Sequence, residues 1–164
     1  MTAAAIILIF VTLQRLSELV IAQRNTADLM QRGGVETGAA HYPVMVALHA
    51  SWLAGLWLFA RQADVNWYLF AGFIVLQALR VWVLATLGRR WTTRIITVPG
   101  ENLVLGGPFR FLRHPNYAVV ALEMPLLPLV FGLTWYAMLF GLLNLAMLAW
   151  RVSVENNALR NVRG

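Results

Sequence analysis

Residues 106 to 117 read Gly-Gly-Pro-Phe-Arg-Phe-Leu-Arg-His-Pro-Asn-Tyr and lie between long apolar stretches. Two arginines, a histidine and a tyrosine, broken by Pro108 and Pro115, are costly beside hydrocarbon, and ionisable groups there mark a polar cavity or a site. The segment therefore points to an enzyme rather than to an anchor. Further along, Arg151 and Glu155 stand four residues apart, the spacing of neighbours on one helical face.

Several chemistries are excluded. The chain has no cysteine, which removes disulfides, iron–sulfur clusters, thiolate zinc and a cysteine nucleophile. All 13 basic residues are arginine, so no lysine serves as a Schiff base or a general base. His41, His49 and His114 lack metalloprotease spacing, and no metal is expected. The order of residues fits no Ser-His-Asp triad, P-loop or dinucleotide GxGxxG.

The composition is 60% hydrophobic, above the roughly 45–50% of soluble domains, with a mean hydropathy of +0.66. At 164 residues it reads as one membrane domain, with three spans in 1–87 and a signature segment, a hairpin and a C-terminal helix in 88–164. Hydropathy places spans at about Ala3–Ala22, Pro43–Phe59 and Trp67–Leu87. Residues 117–150 hold one charge, Glu123, and make two shortish helices turning at Phe131–Thr134, with Pro125 and Pro128 kinking the first. Residues 23–42 are left as a long polar connection, and no secretory signal is expected.

These elements must position the polar residues. With the N-terminus outside, the inner loops hold Arg24, Arg32, Arg89, Arg90, Arg94, Arg110 and Arg113, and the tail adds Arg151, Arg160 and Arg163. Arg61 alone lies in an outer loop. The positive-inside rule then puts the C-terminus in the cytoplasm, and the chain's size and arginine bias suggest a bacterial inner membrane. The net charge of +6 follows this pattern, and no nucleic acid is expected as a partner. Arg15, Glu18, Gln77, Arg80, Glu123 and Asn144 all fall in the inner halves of their spans. They imply one cavity open to the cytoplasm, or ion pairs such as Arg15–Glu18 and Arg80–Glu123. Arg15, Glu18, His41, Tyr42, Arg80 and Glu123 are the candidates for acceptor contact. His49 reads as a satisfied core histidine, and Trp67, Trp91, Trp135 and Trp150 as interfacial belts.

The run Gly107-Pro108-Phe109-Arg110-Phe111-Leu112-Arg113-His114-Pro115-Asn116-Tyr117 resembles the GPYRxxRHPxY signature of the isoprenylcysteine carboxyl methyltransferase family, which is related to the phospholipid methyltransferases. Arg151-x-x-x-Glu155 followed by Leu159 is similar to that family's C-terminal pattern, with Glu155-Asn156 where many relatives carry Glu-Glu. Arg15-x-x-Glu18, Arg24-Asn25, Glu36 and His41-Tyr42-Pro43 resemble a small bacterial branch associated with O-methylation of alkylpyrones or phenolic lipids.

The resemblance implies an all-α integral membrane fold of about five spans, without a Rossmann sheet, and S-adenosyl-L-methionine in a cytoplasmic pocket of the C-terminal half. Arg113, His114, Pro115, Asn116 and Tyr117 would wrap the cofactor, Gly106 and Gly107 would shape its approach, and Glu155 would contact it or pair with Arg151. The implied activity is O-methylation of a lipophilic acceptor, a prenylated cysteine carboxylate or a phenolic or pyrone hydroxyl, drawn from the bilayer. Arg151 suits a carboxylate through bidentate contact, with Glu155 fixing Arg151. For a hydroxyl, Glu155 or His114 is the candidate base. The alternatives are an NADPH-dependent membrane lipid reductase, disfavoured by the lack of a basic cluster for a 2′-phosphate, and a scaffold or carrier. Oligomeric state is not legible.

Overall fold

The computed structural model describes residues 1–102 and 104–163, with backbone alone for 157–163. Five α-helices run α1 (Ala3–Gln31), α2 (Tyr42–Phe59), α3 (Trp67–Leu87), α4 (Pro115–Val130) and α5 (Thr134–Arg163). The helices alternate in direction. Thr2, Ala60–Asn66 and the turn before Thr134 meet at one end, where Asn66 N donates to Val130 O at 2.8 Å. Residues 32–41 and 88–114 gather at the other, here called the inner end. Four of the helical segments are long and apolar enough to cross a membrane, and α4 is shorter at 16 residues.

Local chemistry sets the boundaries. Asn66 caps α3 by accepting from the backbone N–H of Tyr68 and Leu69 at 3.2 Å each. Pro115 opens α4, where its missing N–H costs nothing. Pro128 lies inside α4 and leaves the Met124 carbonyl without its helical donor. The Trp52 indole of α2 takes that carbonyl at 3.1 Å, so a bilayer-depth defect becomes an interhelical bond.

Three expectations change. Helix α1 continues nine residues past Ala22, because hydropathy reports membrane thickness rather than helix length. The rest of the 23–42 connection forms a two-residue strand β1 (Val35–Glu36) and a 3₁₀ turn at Ala39–His41. β1 pairs antiparallel with β2 (Ile96–Thr97), with Val35 opposite Thr97. Helix α5, at 30 residues, is not short: the hairpin arm and the C-terminal helix are one element.

Leu8, Val11, Trp52, Leu56, Phe73, Met124, Leu127, Val130 and Tyr136 make an apolar core toward the outer end. Large apolar side chains cover the lipid-facing surface, among them Phe10, Leu58, Val81 and Leu142. Trp67, Trp135 and Trp150 are exposed as belts require, whereas Trp91 is buried beneath the inner loops. Arg24, Arg32, Arg89, Arg90, Arg110 and Arg113 are exposed at the inner end, against Arg61 at the other. The side chains of Leu159, Arg160 and Arg163 lie outside the described residues.

Candidate active site

Apart from Asn144, which donates to the Val120 carbonyl at 3.2 Å, the buried polar residues divide into two clusters with no hydrogen bond or ion pair between them among the described residues. The first joins α1, α3 and α4 at mid-depth. Arg80 is 6% exposed and donates to both Glu18 oxygens, at 2.6 and 2.7 Å, and to Glu123 Oε2 at 3.0 Å. Arg15 contacts Glu18 at 2.9 Å and also pairs with Glu123. Gln77 donates to Glu123 at 2.9 Å, and Gln14 bridges Glu18 and Gln77. Two cations and two anions thus neutralise one another. Four of the six acceptor candidates, Arg15, Glu18, Arg80 and Glu123, are occupied by their own ion pairs.

The second cluster lies at the inner end and is open to chemistry. Pro115 starts α4 so that His114 and Tyr117 stand three residues apart, and their rings stack with centroids 5.3 Å apart. The Tyr117 hydroxyl donates to Glu155 Oε2 at 2.7 Å, and His114 Nδ1 lies 3.7 Å from the same oxygen. Arg151, 5% exposed, donates through Nη1 to the Thr93 carbonyl at 3.0 Å and touches Met45 Sδ. Its guanidinium sits 5.5 Å from the centre of the Tyr117 ring. The expected Arg151–Glu155 pair is not formed, because each finds a tertiary partner better placed than its neighbour one turn away.

Gln14 Oε1 and Arg15 Nε of the ion-pair network are buried without a partner among the described residues, but the larger group of such atoms is in this second cluster. His114 Nε2, Asn116 Oδ1, Arg151 Nε, Asn156 Oδ1 and both nitrogens of His41 are buried without a partner among the described residues. Buried polar atoms are nearly always bonded, so a group of orphans in one region is the mark of a polar ligand site.

Other candidates fall outside it. Tyr42 stacks under Arg94, whose guanidinium is 4.1 Å from its ring centre and which pairs with Glu36 at 2.7 Å. Arg113 is exposed. His49 Nδ1 lies 2.9 Å from the Met45 carbonyl, as a satisfied helix histidine does. Sequence reasoning missed Thr93 and Met45, and noted Asn156 only as standing in place of a second Glu. Met45 had a signal, standing four residues beyond His41 on the same helical face.

The two glycines differ. Gly107 has φ +55°, and a Cβ there would lie 2.5 Å from Thr86 Oγ1 of α3, while Gly106 faces open space. Gly107 thus serves close packing on α3 in this structure. Gly107→Ala is expected to cost about 1–3 kcal/mol and Gly106→Ala less than about 0.5, read from thermal unfolding in detergent. Equal effects would refute the distinction.

The model of the isoprenylcysteine carboxyl methyltransferase family matches residues 67–161, more than half of the chain. The chain belongs to this family. It is therefore an integral membrane protein of a methyltransferase family, and the family match spans α3 through α5 with both halves of the open cluster's α4–α5 core. Over 153 residues it is 36% identical to the uncharacterized protein YpbQ of Bacillus subtilis, covering 90% of each chain. Over 159 residues it is 24% identical to an uncharacterized protein of Haemophilus influenzae, again covering 90% of each. No solved structure matches it. At 90% coverage of this chain, both likenesses reach beyond the segment that matches the family.

Proposed function

We propose that the chain transfers a methyl group from S-adenosylmethionine to an oxygen of a lipophilic acceptor, at the inner end of the bundle. The carrying observation is the group of buried, unpartnered polar atoms around the Tyr117–Glu155 bond. They fit the cofactor's chemistry. The His114–Tyr117 stack offers an aromatic surface, Glu155 offers an acceptor for hydroxyls, and Asn116 and Asn156 offer amides. When bound, the cofactor supplies a methyl group on a sulfonium sulfur, transferred by in-line displacement.

The protein's part is to orient and to exclude water. Arg151 would hold the acceptor oxygen through its free Nε edge, and the Thr93 carbonyl and Met45 would keep the guanidinium in place. The acceptor's apolar tail needs no aqueous passage, since the helices bearing the site are lipid-facing. The arginine asymmetry supports an inner end facing the cytoplasm of a bacterial inner membrane.

Calorimetric titration of S-adenosylhomocysteine into detergent-purified protein tests this reading, with NADPH titrated in parallel. Saturable binding is expected, weakened about 10- to 100-fold in Glu155→Gln by loss of charged hydrogen bonds. Binding of NADPH alone would move the chain to reductase chemistry. Binding of neither by folded protein would end the enzymatic reading.

A further inference from the structure

His41 lies outside the family match, on the turn before α2, yet it is built into the open cluster. It is 2% exposed, and neither ring nitrogen has a partner among the described residues. Its ring lies 6.0 Å from that of Trp150, next to Arg151 on α5. Met45, one turn further along α2, touches Arg151. The imidazole and the guanidinium therefore share the space between the start of α2 and α5.

The enclosure is specific. Gly38 holds φ +69°, and a Cβ there would strike Val154 and come within 2.9 Å of His41 Nδ1. Only glycine lets the loop close over the imidazole while α5 packs beside it. Such an arrangement leaves a burial cost uncompensated unless something binds.

Of the other candidates, Glu155 already accepts from Tyr117, and His114 has Nδ1 3.7 Å from Glu155 with Nε2 unpartnered. Arg151 has no lone pair to accept a proton. His41 alone has both ring nitrogens buried without a partner among the described residues.

We propose that His41 is the base that takes the proton of a phenol- or enol-type lipid acceptor, the hydroxyl class that the sequence resemblance implies. This rests on the methyltransferase reading. A carboxylate acceptor arrives ionised and needs a cation alone, whereas a phenol holds its proton up to about pH 10. As the acceptor O–H bond breaks, its proton passes to an imidazole nitrogen of His41. The oxygen pair forms the new O–CH3 bond, and the S–CH3 pair stays on the leaving sulfur. The products are methyl ether, S-adenosylhomocysteine and imidazolium, which returns its proton to water.

The test uses long-chain alkylphenols of graded acidity and a farnesylated cysteine carboxylate, on wild type, His41→Gln and His41→Ala. For a simple alkylphenol, kcat is expected to fall about 10²- to 10⁴-fold in His41→Gln. The loss should shrink toward none for a nitro-substituted alkylphenol already ionised at neutral pH. S-adenosylhomocysteine affinity should stay within about threefold, and added imidazole should restore part of the rate to His41→Ala. An equal loss on both phenols, loss of S-adenosylhomocysteine binding in the variants, or turnover of the carboxylate alone would overturn the proposal. Failure of wild type to bind S-adenosylhomocysteine would instead bring down the methyltransferase reading beneath it.

Discussion

Arg80→Leu is expected to destabilise the protein by about 3–5 kcal/mol, the scale for stranding buried charge. The guanidinium donates to Glu18 twice and to Glu123 once, and Glu123 is 1% exposed. Without Arg80, two carboxylates share Arg15 alone, and one negative charge is left where water cannot reach it. Adding Glu18→Gln removes that excess, leaving Arg15 with Glu123, and should recover more than half of the loss. A denaturant titration of the single and double variants in mixed micelles measures the coupling. A single variant within about 1 kcal/mol of wild type would show that water reaches the network. Because no bond among the described residues connects the network to the open cluster, folded Arg80→Leu should keep its S-adenosylhomocysteine affinity.

Arg151→Ala should act in the opposite way, sparing stability relative to catalysis. Turnover is expected to fall about 10²- to 10³-fold, the loss typical of removing one preorganised electrostatic contact at a reacting oxygen. Cofactor affinity should change only a few-fold, since the cofactor candidates lie in residues 106–117 and beyond Arg151 on α5. Arg151→Lys should recover little, because an ammonium cannot keep one edge on the Thr93 carbonyl and offer another to the acceptor. Normal turnover in Arg151→Ala would remove Arg151 from the reaction.

Much of this was legible from residue order, for reasons that can be named. The expected limits of α3 coincide with the observed Trp67–Leu87, since Asn66 caps it and Gly88 ends it. The Arg15–Glu18 pair was legible from its i,i+3 spacing and the Arg80–Glu123 pair from their common depth, both as the alternative to one shared cavity, because charges in hydrocarbon must find the opposite charge at the same level. The partner of Arg151 did not follow. It is a backbone carbonyl, and every residue has one, so Thr93 carries no signal in its side chain. It is brought into place near β2, and two-residue strands lie below any readable period. Helical spacing suggested Glu155 instead, and tertiary geometry overrode it.

The network of Arg15, Glu18, Arg80 and Glu123 also bears on the order in which the chain enters the bilayer. An unpaired arginine or acid at the middle of a helix costs roughly 2.5–3.5 kcal/mol to insert. Helix α1 brings its two charges three residues apart on one face, 2.9 Å from each other, and so enters already neutralised. Helices α3 and α4 each carry a single buried charge, of opposite sign, and neither has a mate within its own span. The first helix thus offers α3 an acid, Glu18, before α4 brings Glu123. A chain begun at α3, though it would hold the whole segment that defines the family, would have to insert Arg80 with no acid waiting in the membrane.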